Sequence, residues 1–251
     1  HGKKIIVSGP QEDRVIRAFN NVRFYKSDMS GKCDSLHSST KNELTQLIGK
    51  PVLWNNENQM TGNVMHLIGN NETEKLDSLK VLNNAFIIQK DSLSKNGFNQ
   101  MKGQNLFGRF EENKLKEVDI IKNAESIYYI YNDKNEFVGI RKSVCSRINL
   151  EMNENKIETM TGYKDTESNI YPDNEFPENA RKLRGFAWRG DERILSKENI
   201  FPEEELAIDA KVQIDAKKKA IESEKPMEIQ KETLEYDEKN PKPKDKTVKK
   251  L

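Results

Sequence analysis

The stretch Val81-Leu82-Asn83-Asn84-Ala85-Phe86-Ile87-Ile88 decides the fold of this chain, because three other stretches read like it. The other copies are Ala18-Phe19-Asn20-Asn21-Val22-Arg23-Phe24-Tyr25, Leu47-Ile48-Gly49-Lys50-Pro51-Val52-Leu53-Trp54 and Ile120-Ile121-Lys122-Asn123-Ala124-Glu125-Ser126-Ile127. Each copy has two apolar residues, two polar or turn-forming residues, a small residue and then a mainly β-branched or aromatic run. Such self-similarity indicates a repeat-built protein.

A second marker follows each copy, an apolar residue two positions before a glycine. Met29-Ser30-Gly31, Met60-Thr61-Gly62 and Met101-Lys102-Gly103 are clear, and Phe137-Val138-Gly139 is a weaker fourth. Short runs of Ile, Val, Phe, Tyr and Leu bounded by Asn, Gly, Asp and Ser are typical of strands. One unit cannot bury its own apolar side, but stacked neighbours can. We therefore predict an all-β protein, a repeat-built β-jelly roll or folded-over antiparallel sheet.

Alternate residues along these strands predict the inner face of the sheet. The inner set is Ile16, Ala18, Val22, Phe24, Leu47, Leu53, Leu79, Val81, Ala85, Ile87, Val118, Ile120 and Ala124. Tyr25, Trp54 and Phe86 fall on the opposite, wetter face. Either the alternation slips at these residues, or another segment of the chain covers them.

The chain divides into four predicted regions. Residues 1–170 form the predicted jelly roll. Residues 171–202 contain three aromatic-proline pairs. We predict that this segment wraps around the sheet and packs Phe186 and Trp188 on its open end or its outer face. A binding loop is the alternative. Residues 203–224 predict a C-terminal helix with glutamates in its first turn, where the helix dipole favours them. Residues 225–251, rich in Lys and Glu, predict a disordered charged tail.

Composition narrows the classes of function. The chain has 251 residues, of which 34% are hydrophobic and 33% are charged, with a net charge of +1. The near-neutral charge and the lack of a basic stripe argue against nucleic acid. No run approaches the roughly 18 apolar residues of a membrane-spanning helix. The chain begins at His1 without a visible signal peptide, which leaves the compartment open on composition alone.

The sequence offers few residues for chemistry. Cys33 and Cys145 could form a disulfide or remain two buried thiols. Cys33 and His37 lack the further ligands of a zinc site. No phosphate-binding loop, nucleophile elbow or dinucleotide fingerprint is present in the sequence. We predict no catalytic residue, no metal and no cofactor, and therefore a binding protein rather than an enzyme.

The ordered series of repeats and Met-x-Gly markers resembles the OstA/LptA family. Lys32–Ser35, Gly49–Trp54, Asn123–Tyr129 and Gly185–Arg189 resemble OstA-like proteins of the Bacteroidetes type. The resemblance covers about residues 5–202. It implies a jelly roll, open along one side, that shelters the acyl chains of lipopolysaccharide in the periplasm. It also implies edge-strand pairing with other copies or with other lipopolysaccharide-transport components.

On this resemblance we predict a lipid-binding set on the inner face. Its members are Phe24, Leu53, Leu79, Val81, Ile87, Val118 and Ile120. The alternative is that the same side chains fill a closed core. Two other functions stay open, a structural scaffold that docks to an outer-membrane complex by its strand edges without a ligand, and a carbohydrate-active β-solenoid with a catalytic acidic pair.

Overall fold

The computed structural model describes residues 1–201 except 56, 95, 154, 155 and 165, together with residues 211, 214 and 217. The chain divides into two units, residues 1–200 and residues 201–251. In the second unit Lys211, Ile214 and Lys217 are helical. The rest of the predicted helix 203–224 and all of the predicted tail 225–251 lie outside the described residues. No helix in the described part of the chain is long and apolar enough to cross a membrane.

The described residues of the first unit form one sheet of thirteen strands. In chain order these are β1 Lys4–Ser8, β2 Val15–Lys26, β3 Met29–Ser39, β4 Leu44–Ile48, β5 Val52–Asn55, β6 Asn58–Thr61, β7 Val64–Asn70, β8 Lys75–Lys90, β9 Phe98–Glu111, β10 Lys114–Tyr131, β11 Phe137–Asn153, β12 Lys156–Tyr163 and β13 Glu167–Tyr171. Short 3-10 helices span Gln11–Asp13, Asp173–Glu175, Glu178–Ala180, Gly190–Glu192 and Glu198–Ile200.

The strand order is β1-β2-β3-β4-β7-β8-β9-β10-β11-β12, while β5 pairs with β3 and β6, β6 pairs with β8, and β13 pairs with β11. Every described pairing is antiparallel. The predicted all-β class with antiparallel pairing is therefore confirmed. A β-solenoid stacks parallel coils, so the solenoid architecture is wrong for this chain.

Each repeat copy places two successive residues in the left-handed backbone region. The pairs are Asn20 and Asn21 (φ 63° and 56°), Gly49 and Lys50 (79° and 50°), Asn83 and Asn84 (58° and 55°), and Lys122 and Asn123 (63° and 52°). In β2, β8 and β10 the pair falls where the register with the next strand shifts. Between β4 and β5 it interrupts the strand. Because such bulges bend a strand, the repeats mark a row of corners at which the sheet folds over.

The corners divide the sheet into two halves. The first half holds β1, β4, β7 and β12, and the second half holds β5, β6 and β13. The strands β2, β3, β8, β9, β10 and β11 cross from one half to the other. For example, β3 pairs with β4 through Ser35–Ser39 and with β5 through Met29–Lys32.

The inner faces of the two halves pack into one core cluster. It contains the whole predicted inner set except Phe24 and Ile16. Phe24 is half-buried and packs against the cluster, and Ile16 is also half-buried. The alternation pattern therefore identified the correct face of the strands on both sides of the corners.

The glycines of the Met-x-Gly markers permit close packing inside this core. A Cβ atom added at each would collide with an inner-face side chain. The contacts are Gly31 with Phe24 Cζ (2.4 Å), Gly62 with Val81 Cγ1 (2.3 Å) and Gly103 with Ile120 Cγ2 (2.6 Å). The fourth copy differs, because Phe137 is 40% exposed whereas Met29, Met60 and Met101 are buried.

A second apolar cluster lies on the outer face of the second half and is covered by residues 172–200, here called the strap. The sheet contributes Phe86, Ile88, Ile127, Tyr129 and Ile140, and the strap contributes Phe176 and Leu183. Phe186 packs edge-on against Phe86 and Phe98, with ring centroids 6.5 Å and 5.2 Å apart. Phe86 thus breaks the polar pattern of its face because another segment covers it.

Cys33 and Cys145 are both free and buried. Cys33 lies on β3 and Cys145 on β11, with β4, β7, β8, β9 and β10 between those strands in the sheet. The disulfide alternative is therefore wrong. Burial raises the pKa of the Cys33 thiol to about 12, and it also raises the pKa of Cys145.

Candidate functional site

An open groove of about 980 Å³ lies at the β1 end of the folded sheet. Its apolar lining residues are Ile5, Ile16, Ala18, Val22, Phe24, Met29, Leu36, Leu44, Leu67 and Leu76. Most of them come from the first half, on β2, β3, β4, β7 and β8. The volume is at the upper end of the roughly 300–1,000 Å³ of small-molecule sites.

The groove stays open because β1 is short. β1 pairs only with Val15–Phe19 of β2. The part of β2 beyond the corner is therefore not paired with β1. There, the amino group of His1 donates a hydrogen bond to Arg23 O (2.8 Å), and Arg23 N donates to His1 O (2.9 Å). A few residues of extended chain therefore cover the backbone of β2 without closing the sheet.

The groove is continuous with the core. Ala18, Val22, Met29 and Leu67 belong both to the groove lining and to the core cluster, and Phe24 bridges the two. Where the two halves stop touching each other, the same inner faces become the walls of the groove. An apolar ligand in the groove would thus lie against the end of the protein core.

The rim of the groove carries charges of both signs. Glu12, Glu43 and Glu74 line it together with Lys26 and Lys75. Lys75 forms an ion pair with Glu112. Both carboxylate and ammonium groups are therefore available where a polar headgroup would leave the groove.

Arg23 is a further cationic lining residue, and it is half-buried. Its Nε atom is buried and has no hydrogen-bond partner within the described part of the chain. A buried donor without an acceptor costs free energy. Arg23 alternates with the inner-face residues Val22 and Phe24, so its side chain lies on the opposite face of β2, beside Lys32.

Six of the seven predicted lipid-binding residues lie in the closed core rather than in the groove. These are Leu53, Leu79, Val81, Ile87, Val118 and Ile120, each 5% exposed or less. Phe24 alone of the seven lines the groove. Lipid contact at the other six stays a prediction, and it requires the two halves to separate.

Leu36, Leu44 and Leu67 line the groove but were not among the predicted lipid-binding residues. They lie outside the four repeat copies, on β3, β4 and β7. Leu36 and Met65 both pair with the inner-face residue Leu47, and Leu67 lies two residues after Met65 on the same face. Alternation was therefore the available signal. Local alternation does not reveal which inner-face residues remain uncovered.

Two buried glutamines hold the strap on the outer face. Gln59 Nε2 donates to Ala187 O (2.7 Å), and Gln59 Oε1 accepts from Arg189 N (2.6 Å). Gln100 Nε2 donates to Arg181 O (2.7 Å), and Gln100 Oε1 accepts from Leu183 N (2.9 Å). Each glutamine amide therefore donates to one carbonyl group of the strap and accepts from one N–H group, as the backbone of a paired strand does.

The sequence contains a signal for this pair of glutamines that the repeat motif alone does not include. Asn58-Gln59-Met60-Thr61-Gly62 and Asn99-Gln100-Met101-Lys102-Gly103 share an identical Asn-Gln-Met core. Because Gln59 and Gln100 precede a buried inner-face methionine, they point to the opposite, outer face. The repeated Asn-Gln thus positions two equivalent clamps.

An ionic contact fixes the end of the strap. Arg189 Nε donates to Glu192 Oε1 (2.8 Å), and Lys32 Nζ donates to Glu192 Oε2 (2.8 Å). The hydrogen bond from Arg189 lowers the pKa of Glu192 to about 2, with Lys32 adding to the effect. Within the described ranges, no three His, Cys, Asp or Glu side chains are grouped to hold a metal ion.

Together these features define an all-β protein with one folded-over antiparallel sheet, an apolar groove at its open end and a clamped strap on its outer face. No family model and no curated protein matches the chain. Among solved structures, it is similar to LptH, the LptA homologous periplasmic component of the conserved lipopolysaccharide transport device from Pseudomonas aeruginosa. The match covers 59% of this chain and 100% of LptH, with 14% identity and a TM-score of 0.44.

Proposed function

We propose that this chain is a periplasmic lipopolysaccharide-binding and transport protein that contributes to outer-membrane assembly. The observation that carries the proposal is the open apolar groove, which continues the protein core. Each methylene that leaves water in such a groove gains about 0.8 kcal/mol. The resemblance of the repeats to the OstA/LptA family supplies the class of lipid and the compartment.

The proposed acyl-chain contacts start at Phe24 and continue over Leu36, Leu44, Leu67 and Leu76. The six deeper predicted residues extend the same interior and would be reached when the halves part. Such opening exposes core surface, so it is favourable only while an acyl chain replaces the lost contacts.

Cationic groups at the groove suit the phosphates of lipid A. Lys26 and Lys75 line the groove, and Lys26 is exposed. Ammonium groups bind phosphate oxygens through charge-assisted hydrogen bonds. Glu12, Glu43 and Glu74 line the same groove, so the proposal assigns the phosphates to Lys26 and Lys75.

The test is native mass spectrometry of the purified chain with added lipopolysaccharide, comparing Phe24→Asp with Tyr25→Asp. Both residues are half-buried and adjacent on β2, but only Phe24 lines the groove. We expect stoichiometric adducts with the unchanged chain and with Tyr25→Asp, and their loss with Phe24→Asp. Circular dichroism controls for folding. A bare mass for the unchanged chain under all conditions would sink the proposal.

A second candidate function, a scaffold that docks by strand-edge pairing, is favoured by the edge strand β1. Ile5 and Val7 of β1 are 52% and 57% exposed, and an apolar edge is a template for another strand. A charged side chain on an edge strand opposes such pairing. Under this candidate, Val7→Lys abolishes self-association or partner capture measured by sedimentation, while adducts with lipopolysaccharide are absent throughout.

A further inference from the structure

We propose that a second groove, on the outer face of the sheet, binds a saccharide. This groove has a volume of about 700 Å³ and lies between the second half of the sheet and the strap. It shares no lining residue with the groove at the β1 end, which is called the acyl-chain groove from here on. The saccharide site therefore goes beyond the proposed function and stands on different residues.

One wall of this saccharide groove is aromatic. Phe98, Tyr129, Tyr131 and Phe137 line it. The Phe137 ring lies 5.6 Å from the Tyr131 ring and 6.1 Å from the Tyr129 ring, between centroids. Phe137 is 40% exposed, so this cluster keeps a free apolar surface. The C–H faces of a sugar ring are apolar and pack on such aromatic surfaces.

The opposite wall is polar and carries both signs of charge. The strap supplies Asp173, Glu178, Arg181 and Lys182. Arg181 Nη1 donates to Asp173 Oδ1 (2.7 Å), and the Glu178 side chain is 89% exposed. Sugar hydroxyls both donate and accept hydrogen bonds. The Arg181 guanidinium is already paired with Asp173 and Glu178, so the exposed carboxylates and the exposed Lys182 ammonium are the groups that would bind these hydroxyls.

The aromatic wall is held in place from behind. The Tyr131 hydroxyl donates to the carboxylate of Asp91, which is itself buried. The backbone N–H of Tyr129 donates to Asn99 Oδ1 (2.9 Å). The hydrogen bond of its hydroxyl fixes the Tyr131 ring, and burial to 6% exposure restricts the Tyr129 ring. Both lower the entropic cost of binding.

The polar wall is held as firmly as the aromatic one. Gln100 binds the backbone of Arg181 and of Leu183, the two residues that flank Lys182. The Arg181 guanidinium also donates to Asp173 O (2.7 Å) and Phe176 O (3.1 Å). The distance between the two walls is thus set by the bonds from Gln100 of β9 and by the hydrogen bonds within the strap.

Other ligand classes fit this groove less well. An acyl chain would displace water from Asp173, Glu178 and Lys182 without offering them hydrogen bonds, which is unfavourable for polar groups. A nucleic acid would face Asp173 and Glu178 at the positions where its phosphates need cations. A saccharide uses both walls, because it combines apolar ring faces with hydroxyl groups.

The experiment titrates the full chain with two saccharides that lack acyl chains, alkali-deacylated lipopolysaccharide and maltoheptaose, by isothermal calorimetry. Phe137→Ala is compared with Tyr163→Ala, an aromatic residue on β12 that is 43% exposed and lines neither groove. We expect saturable binding of at least one saccharide, weakened about tenfold or more by Phe137→Ala and unchanged by Tyr163→Ala. The saccharide that binds identifies the source of the ligand.

Lys182→Ala tests the opposite, polar wall of the groove, and we expect this substitution to weaken saccharide binding several-fold. Absence of saturable binding to both saccharides, or equal affinity of Phe137→Ala and the unchanged chain, would overturn the proposal. Because neither saccharide has an acyl chain, this result is independent of the Phe24→Asp test. Failure of the saccharide site is thereby distinguishable from failure of the acyl-chain groove.

Discussion

At the corners of the sheet, single residues hold a backbone geometry that most side chains resist. An L-residue in the left-handed region pays about 1–2 kcal/mol, and Asn is among the residues that tolerate it best. Lys122 occupies this region with φ 63°, where other copies of the repeat have Asn20 or Asn83. Lys122 is therefore less favourable for the left-handed backbone of its corner than the Asn of the other copies.

We predict that Lys122→Gly raises the free energy of unfolding by about 1 kcal/mol, because glycine adopts positive φ freely. Lys122→Val should lower it by a similar amount. Urea unfolding measures both. The control is Lys142→Gly within β11, outside the left-handed region, where glycine is expected to destabilise the strand. Equal effects of the two glycine substitutions would contradict the corner assignment.

The Met-x-Gly marker is equally specific at residue scale. We predict that Gly62→Ala destabilises the protein by about 1–3 kcal/mol through overpacking, because the new Cβ would lie 2.3 Å from Val81 Cγ1. Val81→Ala in the same chain should restore part of the loss, as a double-mutant cycle would measure. At Gly69 the nearest atom to a Cβ is 3.7 Å away, so Gly69→Ala is the matched control.

At the scale of elements, the strap depends on side chains that lie far away in sequence. We predict that Gln59→Ala leaves Ala187 O and Arg189 N without their buried partner, at a cost of about 1–3 kcal/mol. Hydrogen exchange should then rise around Trp188 while β8 and β10 stay protected. Gln46→Ala is the control, since Gln46 bonds His66 in the first half. Unchanged exchange in the strap of Gln59→Ala would contradict the clamp.

The ionic end of the strap predicts a pH dependence. The pKa of Glu192 is about 2 in the folded chain, below its ordinary value of 4.5, chiefly through Arg189. Its contribution to stability is present above pH about 4.5 and is lost as the pH falls through about 2. The difference in urea midpoint between the unchanged chain and Glu192→Gln should shrink over that range. Arg189→Met should reduce the same dependence, and a difference that persists at pH 2 would contradict it.

At the scale of the whole molecule, the question is where the interior is closed and where it is open. We predict that Ile87→Asp lowers stability by more than about 4 kcal/mol or prevents folding, because it buries an unpaired charge. Phe24→Asp at the groove should leave the fold intact. Circular dichroism and urea unfolding measure both. A stably folded Ile87→Asp would mean that water reaches this region and that the acyl-chain groove extends to the deeper predicted residues.

The openness of the groove links the fold to the proposed function. Because the two halves share one core, parting them exposes apolar surface continuous with the groove. The strap is held on the outer face by its clamps on β6 and β9 and by the contact of Glu192 with Lys32 of β3. The groove at the β1 end and the groove beneath the strap lie on opposite faces of the same sheet.

The sequence by itself determined the all-β class and the inner face of the strands, and its repeats marked the places that the structure shows to be corners. These are local properties, since alternation sets the face of each side chain and Asn-Asn or Gly-Lys pairs favour the left-handed corner. The repeat made Leu53, Val81 and Ile120 identifiable as interior residues. It could not distinguish them from Phe24, because all four share the same local pattern.

Only the tertiary structure decided which part of that inner face stays open, since this depends on the short pairing of β1 with Val15–Phe19. It also decided the clamps, because Gln59 and Ala187 are 128 residues apart. The second groove, on the outer face, likewise needed Asp173 and Lys182 of the strap to meet Tyr131 and Phe137, which are remote from them in the sequence. Contacts between remote segments have no signature in local alternation, so packing of the whole chain fixes both grooves.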